Sequence, residues 1–274
     1  MMEHQIYITL PSTASADLFP SNTITDFQTQ LQSPIQLPFN EYEIALVELH
    51  VDSTIMNISR DENKIAIERF GLTKTPDQKN YTNVINPKAK KGIFHFEFEA
   101  GYYEDMNELI WQINKQMKKH PLTDDLEFVK REGTITCLCS DTTSANFVQF
   151  ELHRNIAFYF GSEKSNIWNY EFEELKPKSS LKNLVPRKCF IYSDLAMHQF
   201  LGDIKARILR VVSLPIDEET RKCEATIIFQ NPHYVTLDRD HFQTTHLYIK
   251  TIDGLRFPFD IGSLIAKLHI RKRI

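Results

Sequence analysis

The sequence of 274 residues predicts a mainly β fold, a β-sandwich with a small α+β insertion. Three observations indicate it: about a dozen short segments have strand-like patterns, turn residues separate them, and helical periodicity is confined to the middle of the chain. The pattern lacks the regular alternation of strands and helices that is typical of parallel α/β proteins. A chain of this length buries about 70–75% of its unfolded surface, so it needs no metal or disulfide to fold.

The predicted strands are of two kinds. Residues 94–99 and 264–271 alternate apolar and polar side chains, which is typical of a sheet with one buried and one solvated face. Residues 43–49 and 207–212 are apolar on both faces, so each needs cover on both sides, from a core or from an interface. The other predicted strands are residues 5–10, 27–31, 64–70, 126–130, 134–140, 147–152, 188–194, 222–229 and 244–252.

Turn residues separate these segments, as in the dipeptides Glu132-Gly133, Asn231-Pro232 and Asp253-Gly254. Many short strands with turns at intervals indicate a sandwich or a barrel. The simplest arrangement is a sandwich whose sheets draw strands from both ends of the chain.

Two helices are predicted. The first spans residues 104–119, where acidic residues occupy the first turn, lysines load the last turn and Pro121 ends the helix. Its apolar stripe consists of Met106, Leu109, Ile110, Ile113 and Met117. The second helix is short, spans residues 153–160 and ends at Gly161.

This pattern predicts a division of the chain into three parts. We expect an extended N-terminal arm at residues 1–26, a β-sandwich formed by residues 27–99 and 173–274, and an α+β insertion or cap at residues 100–172. Residues 173–188 contain five basic and two acidic residues and are interpreted as a long surface loop.

The predicted arm contains apolar residues that could dock it. Leu18, Phe19 and Ile24 interrupt an otherwise polar stretch, and they fit docking onto the same domain or onto a neighbouring molecule equally well. If the arm binds a neighbour, deletion of residues 1–24 leaves a folded protein that no longer enters an assembly.

Composition and charge exclude several classes. Hydrophobic residues make up 42% of the chain, which excludes wholesale disorder, and 32 basic against 36 acidic residues give a net charge of −4. A dedicated nucleic-acid coat would need concentrated positive charge. The longest apolar runs are far shorter than the about 20 residues of a membrane span, and the first residues show no secretory signal pattern, so neither is expected.

The four cysteines predict reduced, structural thiols in an intracellular compartment. Cys137 and Cys139 lie on one face of a predicted strand, about 6.5–7 Å apart, which suits packed thiols better than a disulfide. Cys189 and Cys223 are isolated, and no C-x-x-C pair supports a zinc site.

No catalytic motif is apparent, so we expect neither an enzyme nor a cofactor. The sequence contains no G-x-S-x-G, P-loop, G-x-G-x-x-G or H-E-x-x-H pattern. The most suggestive cluster is Asp238-Arg239-Asp240-His241, which fits a carboxylate–histidine site less well than a solvated turn between two strands.

The C-terminal residues Arg271, Lys272 and Arg273 are basic. Three interpretations stay open. The residues form a solvated end of the last strand, which is favoured because three basic residues supply few phosphate contacts, or they contact nucleic acid or an acidic partner, or they are a short import signal.

Several of these segments together resemble a known family. The opening segments 27–31 (FQTQL), 35–37 (IQL) and 42–49 (YEIALVEL) are followed by 101–103 (GYY), 109–110 (LI) and 113–114 (IN). The later segments are 191–195 (IYSDL), 202–203 (GD), 208–212 (ILRVV), 232–237 (PHYVTL), 257–262 (FPFDIG) and 267–272 (KLHIRK). In this order they resemble the penton (vertex, minor capsid) proteins of Polinton (Maverick) transposons and adintoviruses, although Tyr42 stands where relatives tend to have Trp.

The resemblance implies a jelly-roll β-sandwich and a structural role. By resemblance, five copies form a homopentamer at each icosahedral vertex of the virion, surrounded by a double-jelly-roll major capsid protein and assembled inside the host cell, in the nucleus or the cytoplasm. A weak contact with packaged DNA stays open. The candidate interface residues are Leu18, Phe19, Ile24, Glu43, Arg210, Arg271, Lys272 and Arg273.

Two other functions stay open from the residues alone. One is an intracellular β-sandwich binding module, including a domesticated copy of such a protein, that recognises a peptide or a glycan through one concave site. The other is an enzyme that uses Asp238, Asp240 and His241.

Overall fold

The computed structural model describes residues 5–70, 72–73, 84–85, 90–140, 148–169, 171–177, 181 and 185–273. The first strands are β1 (Gln5–Pro11), β2 (Asp26–Gln36) and β3 (Tyr42–Ile55). There follow β4 (Lys64–Phe70), β5 (Leu72–Thr73), β6 (Val84–Ile85), β7 (Lys91–Glu97), α1 (Met106–Met117), β8 (Leu126–Arg131), β9 (Thr134–Cys139), β10 (Val148–Leu152), α2 (Arg154–Tyr159), β11 (Asn166–Trp168) and a 3₁₀ helix (Glu171–Glu174). The last strands are β12 (Lys188–Ser193), β13 (Gln199–Leu201), β14 (Ile204–Ala206), β15 (Ile208–Ser213), β16 (Lys222–Ile228), β17 (Val235–Thr236), β18 (His241–Lys250) and β19 (Phe259–Lys272).

The chain forms two compact units. The insertion unit is Asn57–Val185, and the jelly-roll unit is the chain up to Met56 together with the chain from Pro186. In the jelly-roll unit one antiparallel sheet has the order β1-β19-β3-β16, with β17 added to β3, and the other has the order β15-β12-β18-β2.

The order of these strands defines the jelly roll. The eight main strands, lettered B to I along the chain, are β1, β2, β3, β12, β15, β16, β18 and β19. The two sheets then read B-I-D-G and F-E-H-C, so strands from the two ends of the chain lie side by side. The predicted mainly β fold, a jelly-roll β-sandwich, is therefore confirmed.

In the jelly-roll unit, buried and exposed side chains alternate along the strands, and a β-bulge interrupts this alternation. Ile8 and Leu10 of β1 are buried opposite Leu268 and Ala266 of β19. The register of β19 shifts against β3 between Lys267 and Leu268, a β-bulge that breaks the alternation of β3. This bulge is one reason why residues 43–49 look apolar on both faces.

A second register shift between β19 and β3 lies between Phe259 and Gly262, and the two strands approach so closely there that a glycine is required. Gly262 has φ +141°, and a Cβ at this position would lie 2.0 Å from the carbonyl oxygen of Asp52. Any side chain here would therefore force the two strands apart.

The insertion unit has a sheet of its own, β11-β10-β4-β7, together with the hairpin β8–β9. The stripe predicted for the first helix is buried along α1, and Asp105 caps its N-terminus by accepting hydrogen bonds from Asn107 N and Glu108 N at 2.7 and 3.0 Å. The core of this unit is aromatic: Phe128, Phe150, Phe160 and Phe172 are fully buried, and the rings of Phe128 and Phe172 each contact the other three.

The observed division of the chain differs from the predicted boundaries of 27–99, 100–172 and 173–274. Strands β4 and β7 precede residue 100, yet they pair with each other and, through β10, form the sheet of the insertion unit. Their sequence alternation matches that of the sandwich strands, and alternation indicates which face is buried without indicating the partner strand. The predicted surface loop also differs, because Leu181 is fully buried in the core of the insertion unit.

The N-terminal segment differs from the predicted extended arm of residues 1–26. Strand β1 pairs with β19 over seven residues, so it is an edge strand of the sandwich. The connection that follows consists of turns, and Asn22 closes it by donating to the carbonyl oxygens of Ala14 and Gln28 at 3.2 and 2.9 Å.

All four cysteines are free thiols. Burial raises the pKa of Cys189 to about 12 and that of Cys223 to about 11, so both are neutral at physiological pH. This agrees with the prediction of structural thiols.

Candidate assembly surfaces

Among the described residues, the eight main strands of the jelly-roll unit include four edge strands, which form two flanks. The β1/β2 flank consists of the edge strands β1 and β2 with the connection 12–25, and the β15/β16 flank consists of β15 and β16 with the connection 214–221. One side of the backbone of an edge strand has no partner in its own sheet, so edges are natural places for contact with another chain.

The β15/β16 flank exposes apolar side chains. Val211 of β15 is 45% exposed and Ile228 of β16 is 67% exposed. The candidate residue Arg210 lies here, where its guanidinium stacks on Phe229 at 4.1 Å and donates to the carbonyl oxygen of Asn231 at 3.1 Å. Arg210 is thus held beside the exposed edge rather than extended into solvent.

The candidate residues Glu43 and Arg271 meet on the outer face of the sheet. They are register partners of β3 and β19, and Arg271 Nε donates to Glu43 Oε1 at 2.7 Å. The Arg271 guanidinium also lies 3.6 Å from the ring centroid of Tyr234. Tyr234 in turn hydrogen-bonds His269 Nδ1 through its hydroxyl at 2.8 Å, which joins these side chains into one network.

The other two C-terminal candidates also have partners within the chain. Lys272 Nζ lies 3.0 Å from Glu41 Oε2, and this hydrogen bond raises the lysine pKa. The Arg273 guanidinium lies 3.4 Å from the side-chain oxygen of Asn40. The basic C-terminal cluster is therefore partly neutralised, which leaves few free charges for phosphate groups.

Leu18, Phe19 and Ile24 lie in the connection between β1 and β2. This connection follows Pro11, which pairs with Ile265 at the opposite end of β1 from the pair of Gln5 and Arg271. Leu18 is 64% exposed, whereas Phe19 and Ile24 are half-buried. Backbone hydrogen bonds from Leu18 and Phe19 to the carbonyl oxygen of Ser15 hold this turn. Only Leu18 therefore presents most of its side chain to a neighbour.

A hairpin formed by β13 and β14 is a surface that the sequence reasoning missed. Its inner side chains Leu201 and Ala206 pack on an apolar cluster of Phe190, Tyr192 and Ile208. This cover accounts for the apolar side chain of Ile208 at the start of β15, whereas Val211 of the same strand stays 45% exposed. On the outer side, Phe200 is 78% exposed.

The sequence did contain a signal for this hairpin. Gly202 and Asp203 form a turn between apolar residues, and Gly202 has φ +63°. Strands of three residues are too short for an alternation of apolar and polar residues to show. Gly202 and Asp203 therefore contribute only one segment of the family resemblance.

In the alternative catalytic cluster, one of the two carboxylates is engaged by an arginine. Asp238 Oδ2 accepts a 2.7 Å contact from Arg207 Nη2, while Asp240 and His241 are exposed and His241 begins β18. Within the described ranges, no group of three or more His, Cys, Asp or Glu side chains could hold a metal ion. No helix in the same part of the chain is long and apolar enough to cross a membrane.

Comparisons with known proteins give structural likenesses at low sequence identity. No family model matches the chain, and no curated protein matches it. The mavirus penton protein aligns with a TM-score of 0.44 at 12% identity, covering 98% of this chain and 100% of that one. A chain of the Sputnik virophage structure aligns with a TM-score of 0.41 at 14% identity, covering 98% of both chains.

Proposed function

We propose that this chain is a structural capsid protein, a penton whose homopentamers close icosahedral vertices and contact a double-jelly-roll major capsid protein. The observation that carries the proposal is the strand order of the jelly-roll unit, B-I-D-G and F-E-H-C, an architecture used by capsid subunits. The ordered motifs that resemble Polinton and adintovirus pentons support it. A capsid role needs no active site.

In this proposal, neighbouring copies meet through the two flanks of the jelly-roll unit. A closed ring requires a heterologous interface, in which one surface of each copy meets a different surface of the next. The β15/β16 flank, with exposed Val211 and Ile228, and the β1/β2 flank supply two such different edges. Arg210 and the pair Glu43 and Arg271 lie beside these edges as candidate interface residues.

The same proposal includes contacts with the surrounding shell and with packaged DNA. Leu18 is the exposed apolar residue of the connection 12–25 and is our candidate for contact with the surrounding shell. The protein would reside in the virion after assembly in the nucleus or cytoplasm of the host cell. Packaged DNA would be at most a weak partner, because Lys272 and Arg271 already pair with carboxylates.

The test is the absolute mass of the purified chain by light scattering across concentration and salt. We expect particles of about five chain masses, visible as rings by electron microscopy. The double variant Val211→Lys, Ile228→Lys should reduce the mass to that of one chain, since lysine on an edge strand opposes pairing. The matched control is Ile252→Lys, which is 79% exposed in the connection between β18 and β19 and should leave the ring intact.

A monomeric wild type would call for co-expression with a double-jelly-roll major capsid protein. Incorporation into shells would support the penton proposal, and failure to incorporate would favour the binding module that recognises a peptide or a glycan. Rings that survive the Val211→Lys, Ile228→Lys double variant would keep the penton but remove the β15/β16 flank from the interface.

A further inference from the structure

The outer face of the sheet β11-β10-β4-β7 carries a depression of about 680 Å³. Ala66 of β4 lies in it, between its register partners Glu151 of β10 and His95 of β7. Because alanine has the shortest side chain of this cross-strand row, the surface dips between two longer neighbours. We call this feature the Ala66 depression; its volume lies within the range of small-molecule sites, about 300–1,000 Å³.

Further polar side chains line the Ala66 depression. Lys64 and Glu97 are register partners on the same face, and their charged atoms lie 3.7 Å apart. Arg154, the first residue of α2, and Asp61, which precedes β4, complete the charged lining. The sheet therefore supplies a rigid floor, and groups from flanking segments surround it.

The charges of this lining nearly cancel. Three carboxylates, those of Asp61, Glu97 and Glu151, face two cations, those of Lys64 and Arg154. A phosphate-bearing ligand would need a surplus of positive charge. A metal ion would need at least three converging ligands, and the part of the chain that the structure describes contains no such group.

Several of these side chains have no partner among the residues that the structure describes. Among the described residues, no hydrogen bond or ion pair of the protein engages the side chains of Asp61, Glu151 or Arg154. Carboxylates only accept hydrogen bonds and a guanidinium only donates them, whereas a hydroxyl does both. A ligand with several neighbouring hydroxyls would satisfy both kinds of group at once.

We propose that the Ala66 depression binds a neutral saccharide, with Glu151 accepting from sugar hydroxyls and Arg154 donating to them. The short side chain of Ala66 leaves space for the sugar ring on the floor of the depression. This site belongs to the insertion unit and is independent of the capsid assignment, so it stands or falls on its own experiment.

The experiment is a printed array of neutral and acidic oligosaccharides probed with the full-length protein, followed by calorimetric titration of the best neutral binder. We expect at least one neutral oligosaccharide to bind. Ala66→Phe should abolish binding by filling the floor, and Glu151→Gln should weaken it roughly tenfold, about the worth of one charged hydrogen bond.

The matched control is Glu68→Gln, the same chemical change on the same face of β4 but outside the depression. It should leave the affinity unchanged. Glu151→Gln preserves side-chain volume, so the test does not depend on the folding of Ala66→Phe. Binding only to acidic oligosaccharides, no binding at all, or equal affinity in wild type and Glu151→Gln would each overturn the proposal.

Discussion

The Glu43–Arg271 pair of the jelly-roll unit lies on the outer face of a sheet, whereas the Arg69–Asp125 pair of the insertion unit lies in its core. The side chains of Glu43 and Arg271 retain 18% and 34% of their exposure. Those of Arg69 and Asp125, joined by a 2.8 Å hydrogen bond, retain 3% and 8%. The same chemistry therefore operates in two dielectric environments within one chain.

The buried pair belongs to a small network. Lys90 Nζ contacts the second oxygen of Asp125 at 2.9 Å, and the Cys139 thiol donates to the carboxylate at 3.1 Å. Burial alone would raise the pKa of Asp125, but the hydrogen bonds from Arg69, Lys90 and Cys139 outweigh burial and hold the pKa below its usual value. Asp125 is thus the only carboxylate partner of Arg69 among the described residues.

The difference in burial between the two pairs indicates where the loss of one charged partner is tolerated. Exposed pairs contribute little because water replaces a lost partner, while a buried ion left alone has no substitute. The two units can be followed separately in one sample, since both tryptophans of the chain, Trp111 and Trp168, lie in the insertion unit.

The largest effect is expected from deletion of residues 1–24. The predicted arm would be dispensable for folding, but β1 buries Ile8 and Leu10 and covers β19, so the deletion should unfold the jelly-roll unit. The loss of two buried side chains alone is worth about 5 kcal/mol, comparable to the whole stability of a domain. Far-UV circular dichroism should lose strand signal while tryptophan fluorescence of the insertion unit persists.

Two single substitutions on β1 control for the deletion. Leu10→Ala should lower the free energy of unfolding by about 2–5 kcal/mol, and Thr9→Ala, on the opposite face, by less than about 0.5 kcal/mol. Native circular dichroism of the deleted protein would show that residues 1–24 are an arm after all.

The next effect concerns the buried pair. Asp125→Asn leaves the Arg69 charge buried without its counter-charge and should lower the free energy of unfolding of the insertion unit by about 3–5 kcal/mol. Urea titration followed by tryptophan fluorescence measures it. Asp124→Asn is the matched control, because its side chain is 50% exposed and, among the described residues, pairs with Lys90 alone.

The pH dependence checks the cause of this loss. A carboxylate whose pKa is lowered by folding stabilises the protein fully above its unfolded pKa of about 3.9, and the stabilisation disappears as the pH falls through the lower folded pKa. The difference in stability between wild type and Asp125→Asn should therefore narrow below about pH 4. A constant difference at all pH values would attribute the loss to packing instead.

The sequence predicted the elements better than their partners. The apolar stripe of α1 and most strands follow from local periodicity, and the structure confirms them. The pairing of β1 with β19 joins residues about 260 positions apart, and nothing local distinguishes β4 and β7 from the sandwich strands. Pairing is a long-range property that alternation does not encode.

The candidate surfaces also depend on strand pairing that no single segment predicts. Glu43 and Arg271 were each selected from their own segments, and only the antiparallel register makes them partners. The exposed Phe200 was missed because strands of three residues carry no readable period. The Ala66 depression depends on a row across three strands, whose alignment no single segment predicts.

The smallest effect is expected at the outer-face pair. Glu43→Gln should lower the free energy of unfolding of the jelly-roll unit by less than about 1 kcal/mol, because both side chains are partly solvated. Arg271→Gln should lower it more, since it also removes the stack on Tyr234. Far-UV circular dichroism in urea, with the tryptophan signal as internal reference, measures both.

The double variant isolates the pair itself, because the stack on Tyr234 cancels in the cycle. A coupling energy below about 1 kcal/mol would agree with solvent screening of an exposed pair. A coupling as large as the loss in Asp125→Asn would contradict the contrast between the two units. If the coupling is small and either substitution still reduces the mass measured by light scattering, then Glu43 and Arg271 act mainly between copies of the chain, and their hydrogen bond within the sheet orients them for that contact.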